Sequence, residues 1–391
     1  MDIEISNVQT PAILLDLDIL ERNIKNFHQM ATSRGKKLWP MIKTHKSTEI
    51  AYIQLNNGAT GFLCGTLDEC ESIFENLVRC KKKDISIMYA YPVAGYPNIS
   101  RVIKLARQCE SFYLRIDDYR QAELLNQAAT KADVHINYTV IINSGLNRFG
   151  VAPDELKNLT SAISNLNHIK FCGISTHPGH AYGETDGIGI AKIAQQETDI
   201  MENATNILSS VGLTPHLIGT GSTPTYPYIV NSTAINCLHP GNYVFMDNMQ
   251  ISVECAKEED CALTILTTVI SAPRDGEFII DAGSKCLGLD KGAHGNGKIR
   301  GHGRIKNQDE NMLVIQSLSE EVGKIVIPKA YHKRINLKIG DRLEIIPNHA
   351  CATANNTSYY IAIRKGIFDR LIHVDMRGNS TAKGMAMFPD G

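Results

Sequence analysis

Short apolar runs alternate with amphipathic, helix-like stretches over the first 240 residues, and this alternation limits the possible folds more than any other feature. Eight β-like runs can be identified, at residues 38–44, 61–65, 85–90, 112–116, 135–142, 169–176, 216–220 and 235–238. Helical periodicity fills several of the intervals, as at residues 66–79, 119–131, 153–165 and 188–211. Strands that alternate with helices of this length indicate an α/β fold with a parallel sheet.

The number of repeats favours a closed barrel over an open sheet. Eight β/α units in about 200 residues are near the lower size limit of a (β/α)8 barrel. An open doubly wound sheet usually carries a glycine-rich turn after its first strand, whereas here the sequence KTHK follows. We therefore predict a (β/α)8 TIM-type barrel over residues 10–250.

The pattern changes after residue 250. Further β-like runs occur at residues 263–270, 277–281, 312–317, 324–327, 342–346 and 359–363, and turns rather than long helices separate them. A chain of 391 residues is long enough for two domains. We predict a C-terminal, mostly β domain at residues 251–385.

Charge and composition indicate a protein that acts on a small molecule. Forty Lys and Arg against 41 Asp and Glu leave a net charge of -1, so no strong field attracts nucleic acid or an anionic membrane. We expect neither a signal peptide nor a membrane span, since no apolar run approaches about 18 residues. The ten cysteines lack paired spacing, which favours a reducing compartment, and we expect a cytoplasmic protein.

Polar residues gather where the predicted barrel strands end, which is where barrels of this kind place their sites. Lys43 follows the first strand, and a lysine held by packed neighbours can lose its proton and form a Schiff base. Lys46 is interpreted as an ordinary solvated lysine. His45, His177 and His180 are candidates for substrate contact or for a base, although a structural role is more common for such histidines.

The loops after strands seven and eight, GTGSTPT and HPGNY, occupy the usual phosphate-binding positions of such barrels. Their glycines allow close approach to backbone N–H groups, and hydroxyls add further donors. A phosphate site opposite a Schiff-base lysine matches pyridoxal 5′-phosphate. Arg148 would then be within reach of the cofactor ring, although it could equally be a surface arginine. The candidate phosphate residues are Gly221, Ser222, Thr223, Gly241, Asn242 and Tyr243.

His349 and Cys351 form the one metal candidate in the second domain. If the segment is extended, residues two apart face the same side, so the imidazole and the thiolate project together. This pair suits Zn²⁺, with substrate and water completing the coordination shell. The alternative is a core cysteine beside a hydrogen-bonded histidine.

Nine motifs together resemble one enzyme family from residue 10 to about residue 378. The family is that of the metal-dependent D-serine dehydratases and D-threonine aldolases, pyridoxal-phosphate enzymes related to alanine racemase. The resemblance implies that Lys43 carries the cofactor, that Arg148 contacts its phenolic oxygen and that His349 with Cys351 binds zinc. The motifs are TPAILLDLD, WPMIKTHKS, GFLCGTLDECE, GLNRFGV, THPGH, GTGSTPT, HPGNYVFMD, DAGSKCLGLD and PNHACATANN.

Three residues depart from the pattern of this family. Trp39 and Met41 flank a proline where relatives commonly have Arg-Pro-His, and Asn143 stands where relatives often have an acid. These changes alter the polarity near the cofactor or the substrate. By the same resemblance we expect a homodimer.

The expected reaction is the dehydration of a D-β-hydroxy amino acid such as D-serine to a 2-oxo acid and ammonia. Dehydratases of the family carry His-x-Cys where aldolases usually carry His-x-Asp, so Cys351 favours elimination. Zinc would polarise the β-hydroxyl while Lys43 removes the Cα proton. A D-threonine-type aldolase that releases glycine and an aldehyde is the second candidate, and a racemase is a weaker one. A non-catalytic pyridoxal-phosphate carrier is the alternative of another class.

Overall fold

A computed structural model describes residues 3–79, 84–290, 292 and 297–377, and the chain divides into two compact units. We call them the barrel unit and the sheet unit. The barrel unit contains His28–Gly179, Ala191–Gly241 and Asp375–Gly391, and the sheet unit contains Met1–Phe27, His180–Ile190 and Asn242–Val374. The domain bounds of 10–250 and 251–385 stay a prediction, and residues 378–385 lie outside the described residues.

Strands and helices follow one another in the order that the periodicity predicts. Up to residue 238 they are β1 (Ala12–Asp16), α1 (Leu17–Thr32), β2 (Lys37–Leu38), α2 (Thr48–Asn56), β3 (Gly61–Cys64), α3 (Leu67–Ile73), β4 (Ser86–Tyr89), α4 (Tyr96–Gln108), β5 (Phe112–Ile116), α5 (Tyr119–Ala132), β6 (Ile136–Ile141), α6 (Leu156–Ile163), β7 (Ile169–Ser175), α7 (Gly187–Ser210), β8 (Leu217–Thr220), α8 (Tyr226–Ile229) and β9 (Cys237–Leu238). Thereafter they are α9 (Asn248–Ser252), β10 (Leu263–Arg274), β11 (Glu277–Ile280), α10 (Ser284–Leu287), β12 (Arg304–Ile305), β13 (Val314–Leu318), β14 (Gly323–Val326), β15 (Arg342–Ile346), α11 (Ala350–Ala354), β16 (Tyr359–Arg364) and β17 (Ile367–His373).

Eight parallel strands form the barrel, in the order β2-β9-β8-β7-β6-β5-β4-β3. The first and last strands meet, because the Leu63 N–H donates to the Pro40 carbonyl at 2.9 Å and the Thr60 N–H donates to the Leu38 carbonyl at 3.0 Å. Strands β3 and β8 are buried at every position, as expected for parallel strands that helices cover. The predicted (β/α)8 TIM-type barrel is confirmed.

The first barrel strand is shorter than the predicted run at residues 38–44. The ladder toward β9 continues through Trp39 and Met41, whose N–H groups donate to Leu238 and Pro240 carbonyls at 2.9 Å each. On the other side, Pro40 has no N–H to donate toward β3. A short 3₁₀ turn, Ile42–Thr44, then carries Lys43 out of the sheet.

Nine strands form the sheet of the other unit, in which β10 pairs with β1, β11 and β15. Strand β1 lies between β10, to which it is antiparallel, and β16, to which it is parallel. The predicted mostly β second domain is confirmed. Within the described ranges, no helix is long and apolar enough to cross a membrane.

Candidate active site

Lys43 lies in the turn after β2 with its side chain half-buried. Its stem passes over Gly65, where an added Cβ would lie 3.0 Å from the Lys43 Cβ and 3.6 Å from its Cδ. Among the described residues, the amine has no hydrogen-bond or ion-pair partner. A lysine with a held stem and an uncommitted amine can react with an aldehyde.

Lys46 is not solvated, so its interpretation as an ordinary surface lysine is wrong. Its Nζ lies 2.7 Å from the Glu69 Oε1, and the two side chains are only 8% and 0% exposed. The other oxygen of Glu69 accepts from the Gly65 N–H at 2.5 Å. Sequence reasoning missed Glu69 because its partner is 23 positions away.

His177 is held as a neutral imidazole. Its Nδ1 hydrogen-bonds the Gly221 carbonyl, so Nδ1 is the protonated nitrogen. Burial, with a smaller contribution from the positive charge of Lys43, lowers the pKa of His177 to about 3. His177 therefore stays uncharged at neutral pH, and its Nε2 can accept a proton or a hydrogen bond.

His45 is a structural histidine, which argues against its predicted role as a base. Its Nδ1 accepts from the Ser47 N–H at 3.1 Å, and its Nε2 lies 3.2 Å from the Gln54 Oε1. Burial lowers its pKa to about 3, against the raising effect of these two hydrogen bonds. Since both ring nitrogens are engaged within the barrel unit, neither is left for a substrate.

Arg148 lies on the exposed loop after β6. Its guanidinium carbon is 5.8 Å from the centre of the Tyr91 ring and 5.3 Å from that of Phe149. Its charge also contributes to the low pKa of His177. The structure therefore brings Arg148 and His177 to the same cavity of the barrel unit.

Asn143 organises the loop that carries Arg148. Its Oδ1 accepts from the N–H groups of Gly145 and Asn147, at 3.1 Å each. Its Nδ2 donates to the Asn147 side chain at 2.8 Å, and Asn147 has a positive φ of 56°. The departure from an acid at this position thus has a local explanation, because the amide supplies both an acceptor and a donor to the turn.

Arg115 is a buried cation that sequence reasoning missed. Its Nε donates to the Ser175 hydroxyl at 2.8 Å and its Nη2 donates to the Thr176 carbonyl at 3.2 Å. Burial, with a smaller contribution from the charge of Arg148, lowers the pKa of Arg115 to about 10. With Arg148 and His177 it lines a cavity of about 20 Å³. An apolar strand pattern does not reveal an arginine that points inward.

The loop after β8 has unused donors that fit a phosphate. Ser222 is 3% exposed, and its hydroxyl has no partner within the described part of the chain. The N–H groups of Gly221 and Ser222 donate no hydrogen bond to any described residue. A Cβ at Gly241 would lie 3.1 Å from the Thr44 hydroxyl, so a larger residue would crowd this point. Thr223, also in the barrel unit, is buried beside Ser222.

Asn242 and Tyr243, the other two predicted phosphate residues, belong to the sheet unit. Asn242 is 5% exposed and donates from Nδ2 to the Asp247 carboxylate at 2.6 Å. Its Oδ1 has no partner among the residues described. The Tyr243 ring is fully buried and lies 4.8 Å from the Phe27 ring, so it packs in the core.

His349 and Cys351 lie at the start of α11 rather than on a strand, so the predicted extended geometry is wrong. His349 is the residue before the helix and Cys351 is its second residue. The short helix is stabilised at its start by Asp247, which accepts from the Ala350 N–H at 2.9 Å. The two side chains nevertheless hydrogen-bond each other, because the first helical turn keeps them on one side.

The surroundings of His349 fit a metal ligand. Its Nδ1 lies 2.7 Å from the Asp290 carboxylate, which leaves Nε2 for a metal, as in many carboxylate–histidine–zinc arrangements. Burial alone lowers the pKa of His349, but the charges of Cys351, Asp290 and Asp247 together raise it well above its usual value. Within the described ranges, no group of three or more His, Cys, Asp or Glu side chains could hold a metal. His349 and Cys351 are thus two candidate ligands, with no third protein ligand found among the residues described.

His180 lies in the sheet unit, in the 3₁₀ segment Gly179–Gly183. Its Nδ1 is buried with no hydrogen-bond partner in the described structure. Burial lowers its pKa, while the charge of Glu184 acts in the opposite direction. A buried imidazole nitrogen without a partner can accept a hydrogen bond from a ligand.

Comparison with known proteins places the chain in a family. A family model for the alanine racemase N-terminal domain matches residues 15–249. The chain belongs to this family. A second model, for a serine dehydratase domain, matches residues 262–363. Alanine racemase-like proteins and D-serine dehydratases depend on pyridoxal 5′-phosphate.

Relatives in the family cover nearly the whole chain. A D-threo-3-hydroxyaspartate dehydratase from Delftia sp. strain HT23 is 27% identical, over 91% of this chain and 94% of its own length. A D-serine dehydratase from Dictyostelium discoideum is 28% identical, over 92% and 94%. The crystal structure of a D-threonine aldolase from Filomicrobium marinum superposes with a TM-score of 0.85 at 26% identity, covering 97% and 98% of the two chains. The predictions of a lyase and of this family are confirmed.

Proposed function

We propose that the chain is a pyridoxal 5′-phosphate- and zinc-dependent dehydratase of a D-β-hydroxy amino acid such as D-serine. The products would be a 2-oxo acid and ammonia. The observation that supports the proposal most is Lys43, whose stem is held against Gly65 while its amine has no partner in the described structure. Relatives named as dehydratases of D-serine and of D-threo-3-hydroxyaspartate support the same reaction.

The barrel unit would bind the cofactor and move the Cα proton. Ser222 and the N–H groups of Gly221 and Ser222 would bind the phosphate, and Arg148 would contact the ring. When bound, the cofactor withdraws electrons from the Cα of an attached amino acid. The Lys43 amine would then take the Cα proton. His177 would remain neutral and would add no positive charge.

The sheet unit would supply the Lewis acid. His349 Nε2 and the Cys351 thiolate would hold the zinc, while Asp290 keeps the imidazole oriented through Nδ1. A zinc ion held by these residues would supply Lewis-acid activation of a poor leaving group. Two protein ligands leave room for substrate and water in the coordination shell.

A D-threonine-type aldolase is the second candidate, supported by the similarity to the Filomicrobium marinum aldolase. The same residues serve retro-aldol cleavage if the β-hydroxyl loses its proton instead of leaving as hydroxide. His180, with its unpaired Nδ1, would be the base in that reaction. A non-catalytic carrier would need neither His349 nor Cys351.

Product analysis separates these reactions. The purified protein, with pyridoxal 5′-phosphate and zinc, is incubated with D-serine, D-threonine or D-threo-3-hydroxyaspartate. We expect equal amounts of ammonia and 2-oxo acid. Glycine and an aldehyde without ammonia would replace the dehydratase proposal by the aldolase proposal.

Lys43→Ala tests the cofactor lysine. We expect loss of the visible absorbance that a lysine-bound cofactor gives, whereas Lys37→Ala, an exposed lysine on β2, should keep it. An unchanged spectrum in Lys43→Ala contradicts the assignment.

Metal removal tests His349 and Cys351. Chelation should abolish turnover, and added Zn²⁺ should restore it in the unmodified protein but not in His349→Ala or Cys351→Ala. Cys172→Ala, a half-buried cysteine of the barrel unit, is the matched control. Turnover that survives chelation removes zinc from the proposal.

The same proposal includes an oligomeric state and a cellular compartment. The resemblance to the family supports a homodimer, which sedimentation velocity would test. None of the nine described cysteines forms a disulfide with another described cysteine, which supports a reducing, cytoplasmic setting.

A further inference from the structure

The turn that carries Lys43 is closed by Lys46. Lys46 has a φ of +46°, a left-handed conformation that is rare for a residue with a side chain. Its N–H donates to the Ile42 carbonyl at 2.9 Å, and its own carbonyl accepts from the Met376 N–H at 3.0 Å. The backbone on both sides of Lys43 is therefore held in one conformation.

One carboxylate links this turn to the loop after β3. Glu69 Oε1 lies 2.7 Å from the Lys46 ammonium, and Glu69 Oε2 accepts from the Gly65 N–H at 2.5 Å. The Glu69 backbone N–H in turn donates to the Thr66 hydroxyl at 3.1 Å, at the start of α3. Glu69 thus has partners in both loops, and it is 0% exposed.

The stem of Lys43 rests on the part of the loop that Glu69 holds. A Cβ added at Gly65 would lie 3.0 Å from the Lys43 Cβ, so the Gly65 backbone runs close to the Lys43 stem. A shift of the Gly65 backbone would therefore move Lys43. Buried ion pairs contribute little to stability compared with apolar pairs of the same size, so their stabilising effect alone does not account for this one.

We propose that the Glu69–Lys46 ion pair is a positioning device for Lys43. By holding Gly65 and the Lys43 turn together, it sets how readily the Lys43 amine condenses with the cofactor aldehyde. In that step a C=N bond forms, and the aldehyde oxygen leaves as water. The inference rests on the proposed role of Lys43 as the cofactor lysine. Glu69 and Lys46 act through Lys43 and touch neither cofactor nor substrate.

Four variants separate positioning from stability. Glu69→Gln removes the charge but keeps an acceptor for the Gly65 N–H, whereas Glu69→Leu removes both. Lys46→Met leaves Glu69 as a buried, unpaired charge. The double variant Lys46→Met/Glu69→Gln removes both charges, so its melting temperature should return close to that of the unmodified protein.

The readouts are the dissociation constant for pyridoxal 5′-phosphate and the pH midpoint of the absorbance of the lysine-bound cofactor. We expect the stable double variant to bind the cofactor about tenfold more weakly and to show a shifted midpoint. Glu69→Leu should be affected more than Glu69→Gln. Glu69→Asp/Lys46→Arg, which keeps both charges, should restore most of the affinity.

The matched control is the ion pair at 2.8 Å between Arg101 on α4 and Asp68, the residue next to Glu69 on α3. Arg101→Met should leave cofactor affinity and the pH midpoint unchanged. If the double variant is stable and binds the cofactor with unchanged affinity and midpoint, the pair is only structural and the inference is overturned. A different result would show that the proposed function is wrong. In that case Lys43→Ala would keep the absorbance of the bound cofactor.

Discussion

Trp39 shows how a single departure from the family pattern is accommodated. Its ring is 2% exposed, and its Nε1 donates to the Thr60 hydroxyl at 3.1 Å. Ring centres lie at 5.4 Å to Tyr113 and 6.1 Å to His239. Met41 packs in the same apolar cluster of the barrel interior. Trp39 and Met41, which stand in place of Arg and His, therefore contribute apolar packing to the barrel interior.

Trp39→Phe should destabilise the protein by about 1–3 kcal/mol, since it removes a partly buried hydrogen bond and part of a packed ring. Urea unfolding followed by far-UV circular dichroism measures the change. Thr60→Val removes the same hydrogen bond, so the double variant should be little worse than Trp39→Phe. Fully additive effects would show that the bond contributes nothing.

At the scale of elements, β7 and β8 approach closely because of Gly173. A Cβ at this position would lie 1.8 Å from the Leu217 carbonyl oxygen, which belongs to the paired strand. Backbone cannot move aside as a flexible side chain can. The close pairing of these two strands therefore depends on glycine.

Gly173→Ala should cost about 3 kcal/mol, because the added methyl forces β7 and β8 apart. Gly183→Ala is the control, since an added Cβ there meets nothing within 4 Å, and it should change stability by less than about 0.5 kcal/mol. Denaturant midpoints give both values. Equal midpoints for the two variants would contradict the close packing at Gly173.

Asp247 connects two short helices of the sheet unit. It is 0% exposed and accepts from the Gln250 N–H at 3.0 Å and from the Ala350 N–H at 2.9 Å, at the starts of α9 and α11. Burial raises the pKa of Asp247, while the charge of His349 and these hydrogen bonds oppose the rise. The position of His349 and Cys351 therefore depends on this carboxylate.

Asp247→Ala should cost about 2–4 kcal/mol, since it leaves two helix-start N–H groups without an acceptor. It should also weaken Zn²⁺ binding, because α11 is no longer held. Asp118→Ala, which removes an exposed cap from α5, should cost about 1 kcal/mol and leave metal binding unchanged. Unfolding curves and zinc titration of both variants measure the two effects.

At the scale of the whole molecule, the barrel unit contains several histidines that are buried as neutral groups. Burial lowers the pKa of His28 to about 4 and the pKa values of His45, His177 and His239 to about 3 each. The unfolded chain, with histidine pKa values near 6.5, binds more protons than the folded chain below that pH. Folding is therefore penalised as the pH falls from about 6.5 toward 3.

Acidification should lower the free energy of unfolding by about 1.4 kcal/mol per pH unit for each of these histidines. Trp39 is the single tryptophan of the chain, so its fluorescence reports on the barrel unit. His45→Gln should reduce the pH slope by about one proton. A slope independent of pH below 6 would contradict the buried neutral state.

Much of the element order could be predicted from periodicity. The runs at residues 112–116 and 342–346 agree with β5 and β15 at both ends, because apolar patterns are local. The site was predicted less completely. Sequence reasoning identified Lys43 from its place after a strand, but it missed three buried or paired residues around the site, Glu69, Arg115 and Asp290. Those contacts join positions 23 to 60 apart, and no local pattern encodes them.

The segment around His349 also shows that a local sequence pattern does not predict structure that depends on a distant contact. Five helical residues, Ala350–Ala354, are too few to show a 3.6-residue period, so the segment read as extended. The helix forms because Asp247, 103 positions earlier, accepts the Ala350 N–H. The imidazole of His349 and the thiol of Cys351 do lie side by side. Their geometry, however, depends on this distant acceptor.

The sequence by itself determined the alternation of strands and helices, and with it the barrel, since each β/α unit carries its own periodicity. Only the tertiary structure decided the place of β1. Its apolar run looks like any barrel strand, yet it pairs with β10 in the other sheet, where Ala12 faces Leu266 and Leu15 faces Leu263. The reason is physical, because an extended segment exposes the same N–H and C=O groups to any neighbour, and packing selects the partner.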